Sequence, residues 1–404
     1  MDTVSQEPNS THPARPDRSD RPMALWGRRV IGPEEVLQNH TVVLEDGVIR
    51  DVAPGTQRNI PADRTIRVED GWIVPGFLDI HTHGGAGHDT MDATAEALAG
   101  IAHHLARHGV TGFYPTTMTA SAEDIDRCLS VFSSTREALN GSGARMLGIH
   151  LEGPYVSHDY RGTQPVELLR DPDPGEYQPW LDSGLVRLIT LAPELPGAAE
   201  LITRAAGLGI RIAIGHTHAT YTQSIEAFDL GATQATHLFN GMPPMHHREP
   251  GPVGAVLSDD RVYAQLIPDG LHVHPAVLKL AVSAKGVERT VLVSDANRGA
   301  GMPDGTYMLG VVRVHTRNGV ARNDQGGLAG STVSLAQGLR IIMHATGLSL
   351  PEAIPMVTRV PAAAMGIAPT KGRLAPGSDA DIVVLDDDLT VRMTIVAGRV
   401  VYTA

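Results

Sequence analysis

The segment WIVPGFLDIHTH, residues 72–83, decides how the rest of the chain is read. It is an apolar, largely β-branched run that closes on two imidazoles two positions apart. Period-two strand geometry sets His81 and His83 on the same side of a strand. Comparable runs recur downstream: VTGFYPTT, ARMLGIHLEG, LVRLITLAPE, IRIAIGHTH, TQATHLFN, VYAQLIPDGLH and RTVLVSDA. Their centres lie roughly 31 residues apart, the size of a strand-helix unit. Intervening segments such as ATAEALAGIAHHLARHG and GAAELITRAAGLG carry helical periodicity. Eight such units predict an α/β chain built on a (β/α)8 TIM-like barrel over residues 75–365. The Pro-, His- and Gly-rich stretch from Gly241 to Leu257 is expected to replace one helix with an active-site loop.

Outside the barrel the texture changes. Residues 23–74 and 366–404 both run in short alternating β-type segments, with Asp46-Gly47 as a hairpin signal. A small β-sandwich domain assembled from both chain ends is expected. Residues 1–22 are rich in Pro, Ser, Asp and Arg, lack the apolar stretch of a secretory signal, and read as a disordered extension.

Composition narrows the function classes. The 404 residues are 42% hydrophobic and 19% charged, with a formal net charge of −12. So acidic a chain is not a general nucleic-acid binder, which needs clustered basic residues to neutralise phosphates. No run nears the ~18 apolar residues of a membrane helix. The single cysteine, Cys128, can form neither an intrachain disulfide nor a thiolate zinc site, which points to a reducing compartment, the cytoplasm. Any metal held here takes nitrogen and oxygen ligands, and nineteen histidines supply the nitrogen.

In a (β/α)8 barrel the chemistry gathers at the C-terminal ends of the strands. Here those ends carry His81 and His83, then Glu152, His216, His237 and Asp295. Imidazole and carboxylate together hold a divalent ion of the Zn, Fe, Mn or Co type, which lowers the pKa of bound water toward ~7. Asp295, on the last strand, is placed to take that water's proton and return it to a leaving group. Metal-assisted hydrolysis of an amide-like bond follows. A single histidine carries little of this argument: His103, His104, His108 and His344 fall on predicted helices and read as structural or surface groups. The three lysines, Lys279, Lys285 and Lys371, all lie beyond the seventh strand, which excludes a subtype bridged by a carboxylated lysine on strand four.

The segments PGFLDIHTHGGAGHDTMD, GIHLEGPYVS, GHTHA, THLFNGMPPMHHREPG, DGLHV, LVSDA, GGLAGSTVSL and GSDADIVVLD stand in the order of one family. Together they cover nearly all of the chain from Met23 onward and resemble the N-acetylglucosamine-6-phosphate deacetylases of the amidohydrolase superfamily. The resemblance implies hydrolysis of the acetamido group of a small amino-sugar phosphate, with no nucleic acid or membrane partner. It implies metal binding by Glu152, His216 and His237, acid-base work by Asp295, and a second ion where His81 and His83 are retained, so one or two ions per subunit. His272 would hold the substrate or polarise the acetyl carbonyl, while neighbouring His274 reads as an ordinary loop residue. Asn240, Gly241 and Arg248 would meet the phosphate, and Leu328, Ala329 and Gly330 would line the sugar or acetyl pocket. A homodimer with its active site near the subunit interface is also implied.

One stretch departs from the family. Where a KGAH-like segment usually follows HLEGP, this chain reads Arg161-Gly162-Thr163-Gln164. Thr163 and Gln164 would face the sugar, but Gln164 cannot become cationic as a histidine can. A substrate such as N-acetylgalactosamine 6-phosphate or another N-acyl amino sugar is the alternative. A non-catalytic sugar-phosphate sensor is a remoter one.

Overall fold

A computed structural model describes residues 22–57 and 60–404. Apart from Pro22, the expected N-terminal extension lies outside the described residues. The barrel strands are β1 (Phe77–Thr82), β2 (Val110–Thr117), β3 (Ile149–Glu152), β4 (Val186–Leu191), β5 (Arg211–Ile214), β6 (Gln234–Ala235), β7 (Tyr263–Leu266) and β8 (Thr290–Leu292). The helices that follow them are α1 (Ala95–Arg107), α2 (Ala122–Thr135), α3 (Pro174–Asp182), α4 (Ala198–Gly207), α5 (Tyr221–Leu230), α6 (Gly251–Ser258), α7 (Pro275–Lys285) and α8 (Leu335–Thr346). Each strand pairs with the next in parallel from β1 to β8. The chain just past β8 closes the ring: Asp295 N–H donates to His81 O at 2.9 Å, and the His83 and Gly84 N–H groups both donate to Ala296 O at 2.9 Å.

Burial on both faces explains why the strands read as continuous apolar runs. On α1, Leu98, Ile101, Ala102 and Leu105 form one stripe packed in the core with Phe77, Val110 and Phe113. Each fully buried Leu or Ile there contributes about 1.5–3 kcal/mol. Capping fixes where the helices begin: the side chains of Thr94, Ser121, Thr220 and Ser334 accept from backbone N–H groups in the first turns of α1, α2, α5 and α8.

Both chain ends meet in one eight-stranded sheet, where Ile382–Leu385 pairs antiparallel with Trp72–Pro75. The hairpin at Asp46-Gly47 forms as expected, with φ of 50° and 79°, the left-handed pair a two-residue turn needs. Two readings change and one element was not anticipated. The run WIVPGFLDIHTH is two strands: Trp72–Pro75 belongs to the terminal sheet and β1 starts at Phe77. Gly76 divides them because a Cβ there would sit 2.1 Å from Thr111 Oγ1. The stretch from Gly241 to Leu257 does not replace a helix, since α6 begins at Gly251 within it. An antiparallel meander, Gly305–Leu309, Val312–Arg317 and Val320–Asn323, stands between β8 and α8 and packs Leu309, Val314 and Ala321 on Met118 and Ala329.

Candidate metal centre and active site

Glu152, the last residue of β3, is the hub of the site. Its Oε1 lies 3.4 Å from His81 Nε2, 3.4 Å from His216 Nε2 and 3.1 Å from His237 Nε2, and its Oε2 lies 3.2 Å from His83 Nε2. Asp295 Oδ1 stands 3.5 Å from His81 Nε2 and 3.3 Å from His83 Nε2. The six groups are all buried.

The backbone supplies much of this convergence. His216, His237 and Asp295 sit two or three residues past their strands with φ of 47°, 28° and 47°. Left-handed backbone at a non-glycine residue costs of order 1–3 kcal/mol and persists only where its surroundings impose it. Three such residues at three strand ends turn their side chains into one mouth. Gly241 serves the same mouth by close approach: its φ is 61°, and a Cβ there would lie 2.7 Å from His216 Nδ1.

Hydrogen bonds aim the rings. Tyr160 O accepts from His216 Nδ1 at 3.0 Å, and Thr116 O accepts from His83 Nδ1 at 3.2 Å, which leaves each Nε2 free as a ligand. Below them the barrel interior stays polar: His150 Nε2 meets Thr190 Oγ1 at 2.7 Å, and Thr190 Oγ1 meets Thr236 Oγ1 at 2.7 Å.

The electrostatics fit a cation. Burial pushes the Glu152 and Asp295 carboxyls up, but the surrounding imidazoles outweigh it, holding Glu152 well below and Asp295 below the usual carboxylate range. Burial opposes charge on His83 too, yet hydrogen bonds to Asp295 and Glu152 push it up to about 10. Burial lowers His237. Two imidazole nitrogens face each other at 3.3 Å in the His81–His83 pair and at 3.1 Å in the His216–His237 pair. Once their Nε2 protons are released, as metal binding requires, rings so arranged point lone pairs at common centres, and the two carboxylates then leave the cluster anionic. Two overlapping ligand groups result, His81–His83–Glu152 and Glu152–His216–His237, which share the glutamate.

Over this cluster lies a cavity of about 150 Å³. Thr163, Gln164, Asn240, Gly241, His272, Leu328 and Gly330 line it, beside His83, Glu152, His216, His237 and Asp295. His272 is fixed by Asp269, whose Oδ2 accepts from His272 Nδ1 at 2.6 Å while Oδ1 accepts from the Leu271 and His272 N–H groups at 2.8 Å. Burial lowers the His272 pKa, but Asp269 outweighs it and the net direction is up. His274 is the expected ordinary residue, accepting the Ala276 N–H at the start of α7.

Two expected contacts are not brought to this cavity. Arg248 is exposed, with Nη1 2.7 Å from His247 Nε2, and is not among the lining residues. Ala329 is buried beneath the meander, its N–H on Ala321 O and its carbonyl on Asn297 Nδ2. Asp269 and the apolar wall of Met118, Ile267 and Leu309 were not anticipated. The spacing of Asp269 and His272, three apart in PDGLH, is the signal that points to the first. Leu309 belongs to the meander, which lies outside the barrel strands whose ends mark the other groups.

The Amidohydrolase family matches residues 72–401. The chain is 40% identical to the N-acetylgalactosamine-6-phosphate deacetylase of Escherichia coli O157:H7, covering 93% of this chain and 98% of that protein. It is 36% identical to the N-acetylglucosamine-6-phosphate deacetylase of Bacillus subtilis (strain 168), covering 92% and 95%. Among solved structures, a mutant N-acetyl-D-glucosamine-6-phosphate deacetylase from Mycobacterium smegmatis, in complex with N-acetyl-D-glucosamine-6-phosphate, superposes with a TM-score of 0.88 at 38% identity over 95% of this chain and all of that one. With a glutamate-centred cluster at the mouth of its barrel and these relatives along nearly its whole length, the chain belongs to the amidohydrolase family, in its N-acetylglucosamine-6-phosphate deacetylase branch.

Proposed function

We propose that this protein hydrolyses the acetamido group of N-acetyl-D-glucosamine 6-phosphate to D-glucosamine 6-phosphate and acetate. The observation that carries this reading is Glu152, shared between two histidine pairs and flanked by Asp295 at the floor of a small cavity. One or two divalent ions of the Zn, Fe, Mn or Co type would be held by His81, His83, Glu152 and Asp295 on one side and by Glu152, His216 and His237 on the other. Bound there, such an ion supplies Lewis acidity to water and to the acetyl carbonyl.

The chain's own groups move the protons. Asp295, held as a carboxylate, takes a proton from the water that attacks the acetyl carbon and returns it to the amide nitrogen as the C–N bond breaks. His272 faces the developing negative charge on the carbonyl oxygen. Its Nδ1–H is committed to Asp269, so Nε2 can donate only when the ring is an imidazolium. Thr163, Leu328 and Gly330 bound the sugar.

Asn240 and Gly241 would meet the phosphate, but no Lys or Arg is among the described residues lining the cavity. A homodimer answers that deficit: Arg248, exposed on the loop before α6, suits a phosphate bound in a neighbouring copy. The expected compartment is the cytoplasm.

The test is acetate release from N-acetylglucosamine, N-acetylgalactosamine and their 6-phosphates, with metal analysis on the same preparation. Release that needs the phosphate is expected, and no release from any phosphorylated substrate overturns the reading. The identity to an N-acetylgalactosamine-6-phosphate deacetylase favours one second reading, the C4 epimer as preferred substrate. The ratio of kcat/KM for the two phosphates decides between them.

A further inference from the structure

Gln164 lines the cavity, yet its amide is largely committed within the protein. Its Oε1 accepts the Thr119 N–H at 2.8 Å, and its Nε2 donates to Glu152 Oε2 at 2.8 Å. Thr119 follows β2 and Glu152 ends β3, so one planar amide ties two neighbouring strand ends. The amide cannot be turned over: that would set its NH2 against the Thr119 N–H and its carbonyl oxygen against a carboxylate. The donor therefore faces Glu152 by necessity.

Glu152 needs this partner because its contacts are uneven. Three imidazoles gather on Oε1, from His81, His216 and His237, and one, from His83, on Oε2. The terminal torsion of a glutamate is broad, so the carboxylate plane is set by what its oxygens meet. Gln164 gives Oε2 a second fixed partner, itself anchored to backbone. One amide hydrogen and the second lone pair of Oε1 remain, so Gln164 can still meet a sugar hydroxyl while both ends of its amide stay anchored.

We infer that Gln164 is a positioning residue for the Glu152 carboxylate, holding it between the two histidine pairs through the Thr119 anchor, rather than only a contact for the sugar. This rests on the proposed metal centre but not on the proposed substrate. The test is titration of metal-free protein with Zn2+ against a chromophoric chelator, comparing wild type with Gln164→Leu and Gln164→Asn. Asparagine keeps the amide but is one methylene too short to span Thr119 and Glu152, and it serves if the leucine variant does not fold.

Zn2+ affinity about 10–100-fold weaker is expected in each folded variant, the usual effect of losing a group that orients a ligand. With substrate, kcat should fall by more than KM rises. Unchanged Zn2+ affinity with a raised KM would assign Gln164 to the sugar alone and overturn the inference. Weakened Zn2+ binding in a protein that deacetylates nothing would sink the substrate reading and leave this one standing.

Discussion

Asp269 and His272 show how one neighbour sets what a side chain can do. With Nδ1–H bound to Asp269, His272 offers the substrate a hydrogen only when its ring is charged, and Asp269 raises the pH at which that charge is lost. Activity depending on the imidazolium is present below the raised pKa and falls as pH climbs through it. Asp269→Asn removes the stabilising charge, so the alkaline limb of kcat/KM should move to lower pH. A limb that stays in place would remove His272 from the acid form of the mechanism. Asp295→Asn should keep fold and bound metal through Glu152 and lower kcat about 10²–10⁴-fold, the usual worth of a positioned acid-base group. Near-normal turnover in that variant contradicts the role. At this scale the histidine pair at 81 and 83 was legible from period two. The roles of Asp269 and Gln164 were not, because hydrogen-bond partners far apart in sequence leave no local pattern.

Among the elements, the short joint between the terminal sheet and β1 sets where the first two ligands fall. Trp72–Pro75 pairs with Ile382–Leu385, β1 pairs with β2, and Gly76 passes between them against Thr111. A side chain at 76 must displace Thr111 or shift β1. Gly76→Val should cost about 1–3 kcal/mol, as overpacking does, read as a lower midpoint in urea unfolding. Unchanged stability would mean that the joint is looser than its contacts imply. Strand number, order and spacing were readable because buried parallel strands demand apolar runs at the period of a strand-helix unit. The break at Gly76, the helix after Gly251 and the meander were not, since each depends on which apolar surface a segment finds to cover.

For the whole molecule, a bound metal and a subunit partner would enter the same balance as folding. An ion that binds the folded chain at a hundred times its Kd adds about 2.7 kcal/mol of stability. Chelation should therefore abolish activity and lower Tm by several degrees, and restored Zn2+ should recover both; a Tm indifferent to chelator argues against a tightly held ion. If Arg248 serves a neighbouring copy, mixing inactive Arg248→Gln and Asp295→Asn proteins under exchange should regain activity, because one site in each mixed dimer is then complete. No regain would return Arg248 to its own subunit or to solvent.

The sequence by itself determined the barrel, the terminal sheet and the six groups that gather at the candidate metal centre, because strand period and strand ends are local properties of the chain. Tertiary structure alone decided that Glu152 stands between two histidine pairs, that left-handed turns bring His216, His237 and Asp295 inward, and that Arg248 and Ala329 stay outside the cavity. Those outcomes follow from how eight strands close into a ring, which brings residues more than two hundred positions apart to within hydrogen-bonding range.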